Sequence, residues 1–427
     1  MTATASGAAR TVLYVEHAGA PGGSCVSLAT LLRRLDARRY RPIVLLVRPS
    51  EEMRRFYSDA GIEAVSWPGI RTLEHSTAEW SGVHSPLTWP SALASLSSWR
   101  TTQRRTLEAV SAFRPALVHL NSVVLYPSAR ALHLSGVPFV WHVREMPVSG
   151  HFGWRRHQQR NALTRWPKFA LYLSESARHA WVGNARGWIA PEPVETHRFD
   201  PRLDRAEARR SLGIPEAARV ILYVGGIARI KGILPLLEAL ARVRASEPRA
   251  VCLMPGGDVT PPRTLLYSAA AAVLPALGSG TLTQQVASSI ERWHLESMLL
   301  RHRFAGEIER HLAASDLLVF PAVADHFARP IVEAGLMERP VVASDLPLVS
   351  ELVEDWKTGL LAPPVDSATL AARILELLSD PELSARMGRA ARARMIERFD
   401  AGRNADALMD LYDRVVDGRG GTGAESQ

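Results

Sequence analysis

Short apolar runs rich in β-branched and aromatic residues recur along the chain, separated by stretches with helical spacing, and they fall into two series. In the first, TVLYVEH (11–17), RPIVLLV (41–47), EAVSW (63–67), ALVHLN (116–121) and FVWHV (139–143) read as strands. The stretches between them, such as SLATLLRRL, carry apolar residues at helical intervals. Strands apolar on both faces fit a buried parallel sheet covered by helices. A second series follows the Pro-rich, charged segment 191–218: VILYVGG, AVCLMPGG, DLLVFPA and PVVAS, alternating with helical patterns such as ILPLLEALARVRA. Two such halves predict an α/β fold of two doubly wound domains with a cleft between them. RNADALMDLYDRVV near the end reads as an amphipathic helix, and the GRGGTGAESQ that follows as a disordered tail.

Composition agrees with two ordinary cores, since the chain has 427 residues and is 47% hydrophobic. Cys25 and Cys252 are far apart with no CxxC partner, which argues for a reducing compartment and against a disulfide framework or thiolate metal site. MTATASGAARTVLYV lacks an apolar core of signal-peptide length, and LLYSAAAAVLPAL (265–277) is interrupted by Pro275 and too short to span a bilayer. A cytoplasmic protein is expected. The net charge of +8 is uneven: residues 1–195 hold 23 Lys and Arg against 13 Asp and Glu, the remainder 28 against 30. An anionic surface or substrate is therefore expected at the N-terminal half. The only lysines are Lys168, Lys231 and Lys357, a bias ascribed to codon composition. Trp67, Trp80, Trp89 and Trp99, with further tryptophans between 141 and 188 near Arg155, Arg156, Arg160 and Arg165, suit peripheral contact with a membrane's inner face or a lipid-linked substrate. The simpler alternative is that these rings pack irregular loops against the domain.

Three segments carry chemistry. DHFARPIVEAG (325–335) sets Asp325 and Glu333 eight positions apart, directly after the apolar run LLVFPAV. It reads as strand, loop and helix start, with Pro330 at the first helical position and Ile331, Val332 and Glu333 in the first turn, whose free N–H groups favour a phosphate. The plain alternative is a solvated acid and a glutamate complementing the helix dipole. AGAPGGSCVSLATLL puts Gly22 and Gly23 between strand and helix, with Ser24 as N-cap, so that backbone can approach a ligand closely. It is neither a Walker loop nor a GxGxxG fingerprint. YVGGIARIKGILPLLEAL brings Gly225, Gly226, Arg229, Lys231 and Gly232 to a second strand-to-helix turn, where two cations could neutralise a diphosphate or merely face solvent.

Together, in this order and spacing, these segments resemble the retaining glycosyltransferases of family 4, over about residues 10–415. That family has the GT-B fold, two Rossmann-like domains facing each other across a nucleotide-sugar cleft. DHFARPIVEAGLMERPVVASD is similar to its E-x7-E segment, VGGIARIKG to its pyrophosphate loop and APGGS to its N-terminal glycine loop; APEPVETHRFDP resembles the interdomain linker. FAGEIERHLAASDLLVFP is similar to the stretch preceding the carboxylates, and WHVRE places His142 where the family has a histidine near the donor sugar. The resemblance implies an acceptor-side domain at 1–194, a nucleotide-sugar-binding domain at 195–395, and a helix in 396–427 that returns toward the first domain before the tail.

By the same resemblance, Glu333 holds the ribose, Asp325 the transferred sugar, and Lys231 the diphosphate. Gly22 and Gly23 lie near the phosphates or the acceptor, and Gly226, Arg229, Phe327, Ala328, Arg329 and Pro330 complete the donor-binding set. His142, Asp325 and Lys231 are the implied catalytic residues; a lone histidine after a strand is otherwise more often structural. Arg144 and Glu145 follow His142, and a local ion pair is their alternative to substrate contact. Asp325 is one methylene shorter than the usual glutamate, Gly226 stands where many relatives carry an arginine, Ala328 replaces a common glycine, and Pro347 and Leu348 replace a glycine-rich turn. The implied activity is metal-independent, cofactor-free transfer of a sugar, with retention, from a nucleotide sugar to a hydroxyl of a glycan, lipid-linked or small-molecule acceptor. A nucleotide-sugar epimerase of similar fold and an inactive family member serving as a partner are the alternatives. A nucleic-acid partner is not expected, because no binding motif accompanies the basic half.

Overall fold

The computed structural model describes residues 9–73, 97–147, 154–256, 281–302 and 308–418. It divides into two compact units, Met1–Glu195 with Phe399–Gln427, and Thr196–Arg398.

The first unit is built on a seven-stranded parallel sheet of order β3-β2-β1-β4-β5-β6-β7. Its strands are β1 (Arg10–Glu16), β2 (Tyr40–Leu46), β3 (Ala64–Ser66), β4 (Leu117–Leu120), β5 (Phe139–Val143), β6 (Phe169–Tyr172) and β7 (Trp188–Ile189). The chain runs outward from β1 to β3, then returns to lay β4 against the other side of β1. That reversal leaves a crevice at the carboxyl ends of β1 and β4, where helices depart to opposite faces. Alternation along β1 shows why the run is apolar throughout: Val12 and Tyr14 enter the core on one face, Leu13 and Val15 the core on the other.

The helix Ala401–Val416 belongs to this unit, and its Leu408, Leu411, Tyr412 and Val415 fill the core that holds Tyr14 and Tyr40. Tyr412 Oη lies 2.9 Å from Tyr14 Oη and 2.6 Å from His119 Nδ1, all three side chains fully buried. Next to it, Asp413 takes hydrogen bonds from Tyr40 Oη and, at 3.0 Å, Arg10 Nη1.

The second unit holds a six-stranded parallel sheet of order β10-β9-β8-β11-β12-β13. Here β8 is Arg219–Leu222, β9 Ala250–Pro255, β10 Leu299–His302, β11 Leu317–Phe320, β12 Val341–Ser344 and β13 Gly359–Ala362. The same reversal puts the crevice between β8 and β11. Helices Ile233–Ser246, Leu282–Arg292 and Ser367–Ser379 supply the apolar residues that cover the sheet.

The pattern reading located the central strands within four residues at each end. It passed over β6, β7, β10 and β13, which run two to four residues each. Trp67, Trp141, Trp166 and Trp181 pack inward or along the first unit, while Trp356 of the second is exposed. Trp141 and Trp181 are fully buried, Trp166 stacks on Trp141, and Trp67 donates from Nε1 to the Arg105 carbonyl at 3.0 Å with the Arg105 guanidinium over its ring. Trp80, Trp89, the run 265–277 and the tail from 419 lie outside the described residues. Among the described residues no helix is long and apolar enough to cross a membrane.

Replacing Tyr412 with Phe would keep the ring but remove the hydroxyl shared by His119 and Tyr14. Leaving these buried groups unpaired should cost about 1–3 kcal/mol. Urea denaturation followed by fluorescence should show an earlier first transition, and an unchanged curve would contradict the assignment.

Candidate functional site

At the β8/β11 crevice two loops meet. The first runs from β8 through Gly225 and Gly226 to a single 3-10 turn, Arg229–Lys231, and enters the helix Ile233–Ser246 at Gly232. Its glycines answer to the fold. A Cβ on Gly225 would lie 2.2 Å from Tyr223 Oη, Gly226 has φ +58°, and Gly232 has φ +73° with the Pro321 carbonyl oxygen 1.7 Å from where its Cβ would be. The second loop leaves β11 at Pro321, and its Val323 amide donates to the Ile230 carbonyl at 3.0 Å. Lys231 Nζ thereby reaches His326 Nε2, 2.6 Å away, and sits 5.6 Å from the centre of the Phe320 ring. Burial pushes the Lys231 ammonium down to about 8. His326 is pushed down to about 4 by burial and by the charge on Lys231.

Both carboxylates of the DHFARPIVEAG segment have internal partners. Asp325 accepts from the Leu348 amide, at 3.1 and 3.2 Å to its two oxygens, and burial raises its pKa against that bond. Asp325 and Leu348 are both departures from the family pattern, and here they meet. Glu333 accepts from Arg329 Nε at 2.8 Å; burial raises its pKa while the guanidinium opposes the rise. The pair is mostly buried, and Arg329 Nη1 has no partner. The helix starts at Arg329, one residue earlier than Pro330 suggested, so Glu333 belongs to its second turn. The Ile331 amide is also taken, by the Ala328 carbonyl at 2.9 Å. No side chain caps this end. Phe327 is half-buried and Ala328 buried in the same loop, and Arg229 donates to Gln285 Oε1 at 2.7 Å on the outer side of the cation turn.

The first unit has its own polar cluster at the β1/β4 crevice. Gly22 is the N-cap of the helix Gly23–Leu32, in extended conformation, and Ser24 lies inside the first turn, so the expected Ser24 cap does not form. A Cβ on Gly22 or Gly23 would meet nothing within 4 Å, and both residues are exposed. Neither turn geometry nor packing demands glycine at these two positions. Beneath them Glu16 is fully buried and accepts from Asn121 Nδ2 (2.8 Å), Tyr57 Oη (3.3 Å) and the Ala18 amide (2.9 Å). Arg144 donates to Asn121 Oδ1 (2.7 Å), Ser27 Oγ (3.2 Å) and Glu192 Oε1 (2.5 Å). Glu145 accepts from the Val123 and Arg144 amides, each at 3.1 Å, and from Ser122 Oγ, so the expected local ion pair between the Arg144 and Glu145 side chains gives way to Arg144–Glu192. His142 is 2% exposed, its ring 5.5 Å from that of His119. Burial, then the Arg144 charge, hold it neutral.

Within the second unit the fold therefore gathers Lys231 and residues 325–333 at one crevice, and within the first it places Gly22, Gly23 and His142 on segments around another. His326 escaped the sequence reading, although its position directly after Asp325 was a signal. Residues 304–307 of the FAGEIER stretch lie outside the described residues, and among the described residues no group of His, Cys, Asp and Glu side chains is arranged to hold a metal ion.

Two parallel sheets, each with its crevice at a strand-order reversal, define the GT-B class of fold. The chain superposes with a TM-score of 0.72 on Anabaena HepE in complex with UDP and glucose, at 20% identity, covering 94% of this chain and 99% of that one. Sucrose-phosphate synthase from Thermosynechococcus elongatus gives a TM-score of 0.70 at 18% identity, covering 96% and 100%. Residues 204–394 match the family Glycosyl transferases group 1. Similar proteins include an alpha-D-kanosaminyltransferase of Streptomyces kanamyceticus, 27% identical over 51% of this chain and 50% of that protein. A D-inositol 3-phosphate glycosyltransferase of Geodermatophilus obscurus is 31% identical over 55% and 48%. The match spans about half the length of these relatives.

An ordinary lysine stays charged to about pH 10.4, whereas Lys231 loses its proton as pH rises through about 8. Its folded-state value is lowered, so the ammonium is depleted above that pH and predominates below it. Affinity for inorganic pyrophosphate, measured by titration calorimetry, should be flat to about pH 7 and fall by up to about tenfold per unit above 8. Lys231→Arg should remove that alkaline limb.

Proposed function

We propose that the protein is a retaining glycosyltransferase that moves a sugar from a UDP- or GDP-sugar to a hydroxyl of a glycan, lipid-linked or small-molecule acceptor. The observation that carries this reading is the crevice at β8/β11, where a half-buried lysine and two carboxylates come from segments locked to each other. The group 1 match over the unit that holds this crevice supports it, as does the likeness in fold to a protein solved with UDP and glucose.

In this reading the diphosphate lies against Lys231, with Arg229 on the same turn. Negative charge grows on the leaving phosphate as the anomeric C–O bond breaks, and cations fixed in a half-buried site stabilise it without reorganising. Glu333, held by Arg329, has a second oxygen for a ribose hydroxyl. Asp325 faces the transferred sugar, with one methylene fewer of reach and a commitment to the Leu348 amide. Retention is most simply a same-face attack: the acceptor oxygen bonds to the anomeric carbon while its proton passes to the departing phosphate oxygen. No cofactor enters this scheme, and the protein cations take the role that a divalent metal has elsewhere. The first unit serves the acceptor side, where exposed Gly22 and Gly23 suit a polar guest, and neutral His142 is the histidine that the resemblance sets near the donor sugar.

A thermal-shift screen over nucleotide sugars tests the reading, since stabilisation grows with ligand concentration relative to Kd. One or more UDP- or GDP-sugars should raise the Tm, and none doing so would sink the assignment. Glu333→Ala and Lys231→Ala should each abolish that shift and lower kcat/KM by about 100-fold or more, the scale of losing a transition-state charge contact. Unchanged kinetics in both variants would count decisively against the proposal.

A further inference from the structure

Lys231 is not a free ammonium in the cation turn. Its Nζ is 2.6 Å from His326 Nε2, and His326 Nδ1 is 2.9 Å from the Ala324 carbonyl oxygen. A carbonyl can only accept, so Nδ1 carries the ring proton and Nε2 presents a lone pair. Lys231 is therefore the donor, with one of its three N–H bonds aimed at the imidazole. The ring is fixed from two further sides: it lies against Phe320, centroids 5.3 Å apart, and its loop is bound to the cation turn through Val323 and Ile230. Apart from the bond to the Ala324 carbonyl, the side chain serves nothing in the segment's backbone; it makes no cap and directs Nε2 at the lysine.

We propose that His326 is a positioning residue for a nucleoside diphosphate: it holds one proton of the Lys231 ammonium and so directs the other two at the phosphate oxygens. This inference rests on the donor-site reading given above. A lysine on a flexible stem otherwise loses rotamer and rotational freedom when it meets an anion. Because the acceptor is already in place, that loss precedes binding and affinity rises accordingly. The role is specific to the atom at the Nε2 position. A glutamine at 326 can bring its carbonyl oxygen near that point, an asparagine only as far as the Nδ1 level, and an alanine supplies no acceptor.

The test is binding of UDP, GDP and inorganic pyrophosphate by titration calorimetry to the full chain and to His326→Ala, His326→Asn and His326→Gln. Alanine and asparagine should weaken the tightest of these ligands by about three- to tenfold and glutamine by less than about twofold, the scale of one oriented hydrogen bond. In a Lys231→Ala background the difference between histidine and alanine at 326 should vanish, as coupling through a shared partner requires. Equal affinity in wild type and His326→Ala, equal loss in all three variants, or a loss that persists without Lys231 each overturn the inference alone. A wild-type protein that binds none of the three ligands instead removes the donor-site reading, and this inference with it. The scarcity of lysines supplies a check that needs no ligand. With 13C-methylated lysines, His326→Ala should shift the Lys231 resonance and leave Lys168 and Lys357 in place; no shift of Lys231 means the pairing is absent and the inference fails.

Discussion

The carbonyl oxygen of Pro321 occupies the place that any side chain at residue 232 would need, and the second unit's crevice depends on that contact. Only a residue without a Cβ, in a left-handed conformation, lets the turn after β8 settle against the exit of β11. Once it does, Ile230 and Val323 can share a backbone hydrogen bond, and Lys231 comes level with His326. The parallel sheet sets the stage by reversing strand order at this point. Glycine 232 then sets the spacing to within an ångström, and the side chains follow.

The first unit reaches rigidity by another route. Glu16, Arg144 and Glu192 are nearly or wholly removed from solvent, and taking such charges out of water is costly unless each finds partners. They do so by linking the end of β1, the loop after β4, the end of β5 and the helix Gly23–Leu32. Burial, and after it the charge on the same guanidinium, keeps His119 and His142 from taking up protons. A charge network of this kind fixes geometry more than it adds stability, because an apolar replacement would avoid the desolvation altogether.

The central strands were legible because both faces of β1, β2, β4, β8 and β11 are buried, which writes an unbroken apolar run into the chain. The strands that were passed over, β6, β7, β10 and β13, run only two to four residues, and β7 and β10 are partly exposed, so their runs thin out toward the composition of a loop. Lys231 and Glu333 stood out by spacing against neighbouring glycines and proline. Their partners did not: His326 meets a lysine 95 positions away, and Arg329 turns back along its own helix, and neither encounter has a periodicity. Ser24 looked like a cap because its residue type favours one, yet the chain enters the helix two residues sooner. A capping preference describes a position only after the backbone has chosen where the helix begins.

The chain passes from the first unit to the second after Glu195 and comes back before Phe399. At that return the Val194 amide donates to the Phe399 carbonyl at 2.8 Å, and the Ala401 amide to the Val194 carbonyl at 3.1 Å. Entry and exit are thus stitched side by side, and the second unit is, in connectivity, an uninterrupted insert carried within the first. A gene encoding residues 196–398 would specify an entire sheet with its helices. One stopping at 195 would leave Tyr14 and His119 facing the space that the final helix fills. Recombination can therefore exchange the inner module through one pair of adjacent joints, while the outer one must be inherited with both its ends.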